Sequence, residues 1–536
     1  MAHDLTSSKM TVSRLLDRSA QLRPDHVAVL AAGNTLTYAA LLAMSCRLAR
    51  TLQELGVRKS DRVALILPNS AEFVVCFFAI ARIGAVLVPL NPAYTDDELA
   101  PIFEDAEVRC ALCAPSHRHR LEAIRLRSPA LVTVVPVASV AALDEFCAAR
   151  SDSAFDVEIE ETALHAIMFT SGTTGRPKGA MLSHRSRVVN SLSGRLGYEI
   201  TAQTRANVPA PLFHSGGMIL GLINVLAAGG TLLIPRDGSV DALIGAFQDH
   251  GANLLLTVPT VVFRMVEHRR FQATARDLPF AIIHGAAPIP YPVVRQLLDA
   301  FPKCRPFHGY GSTEACQLTV LGPDEYRRFP SATGRSLPGI DVRVVDQQGL
   351  DVTPGTVGEI VTAGPHVFDG YLNAPQQTAE ALHDGRHWTG DLATIDEHGI
   401  ISVVGRLKDM IITGGFNVYA REVEDMLEAH SAIAQAPFSA CPIGNGAKLW
   451  PQPSLQSRER TWTRKRSYGT AASISLHTRS RSLFVSSASY RVIPSARSKK
   501  HSCEKCSHQN NLPIQQRPRE QFTRLRPPWT DIAQSI

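Results

Sequence analysis

Cysteine is sparse in this chain of 536 residues, and most of its ten cysteines sit inside apolar runs, which excludes a disulfide-built scaffold. Cys110 and Cys113 form a CxxC, but they fall in the alternating stretch 108–114 and read as strand residues rather than a metal or redox pair. Long apolar runs are missing as well. No stretch of about 18 residues is free of charged and turn residues, so no membrane-spanning helix is expected. The opening segment, Met1 to Met10, is polar and lacks the apolar core of a secretory signal, which predicts a cytoplasmic protein.

What is present fits a large globular enzyme. Hydrophobic residues make up 45% and charged residues 19%, the balance of an ordinary folded domain, and the length calls for two or more domains. The net charge of +6 is unevenly placed. Residues 437–536 hold 17 lysines and arginines against four acidic residues, a net +13, so the preceding 436 residues carry −7. That basic segment is rich in Ser, Arg and Gln and shows no sustained helical or strand period, which predicts disorder.

Up to about residue 400 the pattern alternates between strands and helices, with Gly and Pro at the joints. Residues 61–67 read as an apolar strand, 70–83 as a helix and 85–90 as a second strand, an order that implies parallel sheet covered by helices. Residues 252–258 and 280–284 repeat it. From 358 to 402 the strands shorten into a small β-rich lobe. Residues 409–415 read as strand and turn, and 420–428 as the start of an amphipathic helix. The predicted class is α/β: a large N-terminal domain of parallel-rich sheets with a small β-rich lobe, followed by a truncated α+β subdomain and the basic tail.

The sharpest motif is Thr170-Ser171-Gly172-Thr173-Thr174-Gly175-Arg176-Pro177-Lys178-Gly179, which follows the apolar strand 166–169. Glycines and small hydroxylated residues let N–H and O–H groups close around a polyphosphate, and Lys178 adds positive charge. It is not a Walker A loop, because Gly172 and Lys178 lack that frame. This segment resembles the phosphate-binding loop of the AMP-forming acyl-CoA synthetases, members of the adenylate-forming superfamily, and further motifs succeed it in that family's order.

The resemblance covers about residues 11–436 and implies roles for named residues. Tyr310-Gly311-Ser312-Thr313-Glu314 is similar to the nucleotide signature, with the Tyr310 ring on adenine, Thr313 on phosphate and Glu314 helping to hold Mg²⁺. A carboxylate beside phosphate calls for a divalent ion between them. Gly285-Ala286-Ala287-Pro288 resembles the adenine-side loop. Asp391, in Trp388-Thr389-Gly390-Asp391, matches the residue that binds the ribose hydroxyls, and Arg406 also contacts the ribose. Lys408 matches the hinge, and Gly414 and Gly415 the loop lining the CoA tunnel. Ala420 stands where the family usually has Pro. His214, in Pro211-Leu212-Phe213-His214, matches the acyl-site segment. The implied domains are an adenylation core at 11–405, a hinge and subdomain start at 406–436, and the tail at 437–536. The implied activity is ATP-dependent ligation of a carboxylic acid to CoA through an acyl-adenylate. A medium- or long-chain fatty acid is placed first, because Gly309, Met218 and Ala315 are small or flexible enough for a linear chain, and an aromatic acid second. Transfer to a carrier-protein thiol and an inactive nucleotide- or acyl-binding remnant are the rivals. Neither a specific nucleic-acid partner nor a membrane span is expected; contact with a membrane surface and the oligomeric state stay open.

One expected part is missing. The family's adenylation step uses a lysine in a Pro-rich Gly-Lys segment near the chain end, and no Gly-Lys pair occurs here after Lys178. With synonymous codons chosen, dropping the first two bases across 440–452 allows Leu-Pro-Asp-Arg-Gln-Arg-Gly-Glu-Ala-Val-Ala-Ala. The same shift across 489–499 allows Leu-Pro-Arg-His-Pro-Val-Gly-Lys-Val-Gln, with the lysine codon straddling Ala496 and Arg497. Both resemble the family's own continuation, so the tail reads as translated out of frame and adenylation by this chain as impaired. His501, Cys503, Cys506 and His508 lack the intervening loop of a zinc site and are read as tail residues.

Overall fold

Several helices start where a serine turns the chain inward. Ser70, Ser139, Ser183 and Ser239 each accept a hydrogen bond from the backbone N–H three residues on, satisfying a donor that the first helical turn leaves open. The computed structural model describes residues 10–413 except 32, 156, 171–176, 286, 288 and 290, together with 416–418 and short strands between 433 and 486. They fall into two units, one ending at Lys408 and the other beginning at Asp409.

Two large sheets dominate the described part of the first unit. A seven-stranded sheet has the spatial order Gly370–Tyr371, Lys178–Ser183, Leu164–Thr170, Val86–Pro89, Arg62–Ile66, Cys110–Cys113 and Thr133–Pro136. Its last five strands run parallel, and the first two are added antiparallel. A nine-stranded sheet carries Phe280–Gly285 parallel to both Leu254–Thr257 and Cys304–Ser312. Cys304–Ser312 then turns back into Cys316–Leu321 as a hairpin. A smaller antiparallel sheet of five strands includes Gly358–Ala363, Arg386–Ile395 and Ile401–Arg406, the β-rich lobe expected from tight glycine spacing.

The strand–helix–strand reading of 61–90 matches Arg62–Ile66, Ala71–Arg82 and Val86–Pro89. Every one of the twelve residues of Ala71–Arg82 is buried, as a helix apolar on all sides requires. Phe73, Phe77 and Phe78 fill one core that also takes residues from both large sheets; truncating any of them to Ala would cost roughly 3–5 kcal/mol. At the end of this helix Arg82 pairs with Asp17. Cys110 and Cys113 are buried strand residues with free thiols, and burial pushes the Cys113 thiol up to about 11, so the CxxC is structural. No helix among the described residues is long and apolar enough to cross a membrane.

In the second unit the described residues include a hairpin that pairs Ile411–Thr413 with Phe416–Val418. The helix expected at 420–428, the glycines Gly414 and Gly415, and nearly all of the basic tail, with His501 to His508, lie outside the described residues.

Candidate functional site

The site is built on a few elements of the first unit: β1 (Leu164–Thr170), β2 (Lys178–Ser183), α1 (His184–Gly197), β3 (Phe280–Gly285), β4 (Cys304–Ser312), β5 (Cys316–Leu321), β6 (Arg386–Ile395) and β7 (Ile401–Arg406).

β1 and β2 are antiparallel, and their last pair is Thr170 with Lys178. The phosphate-loop motif is therefore the connection of a hairpin. Ser171, Gly172, Thr173, Thr174 and Gly175 lie outside the described residues, while Thr170 and Lys178 mark the two ends, with the Thr170 hydroxyl 3.4 Å from the Lys178 carbonyl oxygen. On the far side of β2, Tyr371 pairs with Ala180. This places the Lys178 ammonium 5.3 Å from the centroid of the Tyr371 ring, within cation–π range. The Tyr371 hydroxyl donates to Glu314 Oε1 at 2.8 Å. Burial and the neighbouring Glu314 raise the Tyr371 phenol far above its ordinary value, so it stays a donor.

Glu314 sits at the tip of the β4–β5 hairpin, between Ser312 and Cys316, which are register partners. Ser312 Oγ accepts from the Ala315 N–H at 3.1 Å, and the Glu314 carbonyl accepts from the Phe368 N–H at 2.7 Å. Gly311 has no alternative here, because a Cβ on it would lie 1.8 Å from the Cys316 carbonyl oxygen. One carboxylate oxygen of Glu314 is held by Tyr371, and the other has no hydrogen-bond partner among the described residues. That suits Mg²⁺, which is held by one or two carboxylates together with substrate phosphates.

Four residues earlier, the Tyr310 hydroxyl donates to Asp391 Oδ2 at 2.7 Å. Burial, then Asp391, push the Tyr310 phenol well up. Asp391 on β6 is the cross-strand partner of Arg406 on β7, and the Arg406 Nε lies 3.1 Å from Asp391 Oδ1. Asp391 is only 7% exposed, so an uncompensated carboxylate there would be costly. Next to it, the half-buried Glu359 accepts from the Gly390 N–H at 2.8 Å, and burial raises its carboxyl.

His284 precedes Gly285, the last residue of β3, and His308 precedes Gly309 on β4. Their rings stack with centroids 4.7 Å apart. His284 Nε2 lies 2.7 Å from the Tyr326 hydroxyl, and His308 Nδ1–H donates to the Ala332 carbonyl at 3.0 Å. Burial holds both imidazoles below their ordinary value, so the stacked pair is neutral. Of Gly285-Ala286-Ala287-Pro288, Gly285 and an exposed Ala287 are described; Ala286 is not.

His214 is not hydrogen-bonded to any of these groups among the described residues. It is exposed on a turn before a π-helical stretch, Gly217–Ile223, and its Nδ1 accepts from the Gly216 N–H at 3.4 Å. The turn is clamped by Asn69, whose amide donates to the Ala210 carbonyl and accepts from the Leu212 N–H, both at 2.8 Å. Lys408 is exposed at the end of the first unit. Neither Tyr371 nor Asn69 stands out in the sequence. An aromatic after a glycine and an asparagine before a helix cap have too many ordinary uses to stand out.

The family described as AMP-binding enzyme matches residues 16–372. A feruloyl-CoA synthase of an Amycolatopsis species is 34% identical over 430 residues, covering 79% of this chain and 84% of its own. A medium-chain fatty-acid–CoA ligase of Escherichia coli is 30% identical over 434 residues, covering 78% and 76%. Among solved structures, ATP-bound MatB from Rhodopseudomonas palustris superposes with a TM-score of 0.76 at 32% identity, covering 82% of this chain and 87% of that one. The chain is therefore a member of the AMP-binding enzyme family and, within it, of the AMP-forming acyl-CoA synthetases.

Proposed function

We propose that the first unit binds ATP and a carboxylic acid, and that the family reaction runs as adenylation followed by thioester formation. A carboxylate oxygen attacks the α-phosphorus, the bond to pyrophosphate breaks, and an acyl-adenylate forms. The CoA thiolate then attacks the acyl carbon and AMP leaves. Charge accumulates on phosphoryl oxygens in the first step, so fixed positive groups and donors stabilise it. Lys178 supplies charge at the mouth of the phosphate loop, Thr170 and Thr313 supply hydroxyls, and Asp391 and Arg406 hold the ribose. Glu314 would hold Mg²⁺, whose charge offsets that of the phosphates. The observation that carries this reading is the chain of contacts from Lys178 through Tyr371 to Glu314, on the same hairpin as Tyr310 and its Asp391–Arg406 pair. A cytoplasmic location is proposed with it.

For the acid, a compact aromatic acid is placed ahead of a linear chain. The linear expectation rested on Gly309, Met218 and Ala315. Met218 and Ala315 are fully buried, and a Cβ on Gly309 would lie 2.3 Å from the Tyr198 hydroxyl, so the space behind Gly309 is filled. A feruloyl-CoA synthase among the relatives supports the same order; a medium-chain fatty-acid ligase keeps the linear acid as the second reading.

We also propose that the chain adenylates poorly, because 437–536 is translated out of frame and lacks the Gly-Lys segment. Pyrophosphate release with MgATP and a panel of aromatic and aliphatic acids tests the whole reading. Turnover of about 10 s⁻¹, ordinary for enzymes, would refute the impairment, and a chain that binds no ATP would refute the reading itself.

A further inference from the structure

Arg187, on α1, is completely buried. Its guanidinium meets sulfur on both sides: Nη1 lies 2.9 Å from Cys316 Sγ, and Nη2 lies 2.9 Å from Met168 Sδ. Nε has no partner, and no carboxylate lies within ion-pair range among the described residues. The charged and titratable neighbours are His165, which burial keeps neutral, and Cys316, whose thiol burial raises. A guanidinium does not lose its proton, and thiols and thioethers are weak acceptors. An ion buried in this way is costly unless something compensates it.

A second cost lies against the first. Cys316 has a φ of +58°, a conformation that favours glycine and is strained for other residues. It closes the three-residue connection Thr313, Glu314, Ala315 between β4 and β5, a hairpin geometry that needs a left-handed residue at its end. The strained residue thus sets how Thr313 and Glu314 are presented. On the other side, Met168 lies two positions before Thr170, where β1 enters the phosphate loop.

We propose that Arg187 is a positioning residue for the nucleotide: it ties the hairpin tip carrying Thr313 and Glu314 to the strand that enters the phosphate loop, and its charge, met by no anion among the described residues, is met by the polyphosphate. The inference rests on the ATP-binding reading. The two unfavourable features touch at one point, between the strand that ends at Thr170 and the hairpin tip that carries Glu314.

The test uses the full chain, with MgATP and AMP titrated calorimetrically and the urea midpoint measured for each variant. Arg187→Met keeps the length and removes the charge. The expected result is an unchanged or higher midpoint, an ATP affinity lowered about tenfold and an AMP affinity lowered less than about threefold, since the field acts most on the more highly charged ligand. Equal losses for ATP and AMP, or no loss for ATP, overturn the proposal. Should Arg187→Met fail to fold, Cys316→Gly decides, because glycine accepts the positive φ and removes the thiol. It is expected to raise the midpoint and weaken ATP binding about threefold; ATP bound at parental affinity overturns the proposal. A parent chain that binds no ATP refutes the ATP-binding reading instead, so the two failures are distinct.

Discussion

On the side of the site proposed for the nucleotide, Tyr310, Glu314, Asp391 and Arg406 each have a partner within hydrogen-bonding range, whereas on the His214 side an exposed imidazole receives only the Gly216 N–H at 3.4 Å. The first side is assembled from strand ends in fixed register, with stacked neutral histidines beneath it. The second is a turn leading into a π-helical stretch, a helix form that is rare and concentrated at functional positions. Their difference follows the chemistry. On the proposed reading, ATP is common to the family and its contacts reward rigidity, while the acid varies and the His214 side tolerates looser construction.

Supplying a Gly-Lys segment is expected to have the greatest consequence. If the nucleotide side is fully built and only the Gly-Lys segment is lost, a gene corrected to the alternative frame upstream of Ala440 should raise pyrophosphate release by about 10²-fold or more, the scale of one electrostatic group in a transition state. Sequencing the gene decides the premise, and equal rates for the two chains would refute it.

The next effect is on stability. His184 is fully buried, its Nδ1 accepts from the Val12 N–H at 3.2 Å, and burial lowers its pKa from 6.5 to about 4. A neutral native imidazole means that the unfolded chain takes up the proton first as pH falls. Its stabilisation is therefore complete above about pH 6.5 and is lost between there and about pH 4, on the order of 3 kcal/mol for His184 alone. His284 and His308 shift in the same direction, so ATP binding should fail along with the fold. Urea midpoints measured from pH 8 to pH 5 check this, and a flat profile would exclude neutral burial.

Tyr371→Phe sharpens the comparison with a single atom. It keeps the ring under Lys178 and removes the hydroxyl that donates to Glu314. MgATP affinity should fall about tenfold, the scale of one hydrogen bond to a charged group, with the urea midpoint nearly unchanged. A calorimetric titration that matched the parent would show Glu314 to be held by the hairpin alone.

How much of the site is legible in the sequence depends on distance along the chain. The phosphate loop and the Tyr310 hairpin are contiguous motifs, so their residues announce themselves, and the strand before the loop is readable from its apolar run. That the loop joins two antiparallel strands is not, because Lys178–Ser183 carries a lysine and a glycine at its start. Tyr371 reaches Glu314 across 57 positions, and Arg187 reaches Cys316 across 129. Such pairs leave no local pattern. Nor is what lies behind Gly309 legible, since Tyr198 comes from the end of a helix more than a hundred residues earlier.

The smallest expected effect tests the looser side. Asn69 joins the turn before His214 to the main core through two hydrogen bonds to backbone groups 141 and 143 residues away. Asn69→Ala should cost about 2 kcal/mol in urea unfolding, because each of the two lost bonds contributes roughly 1 kcal/mol. The more telling readout is ligand-specific. If the His214 turn serves the acid alone, the variant weakens binding of an acyl-adenylate analogue by several-fold and leaves MgATP affinity at the parental value. Equal weakening of both ligands would mean that the two sides form one rigid unit, and that the contrast between them is one of exposure rather than of function.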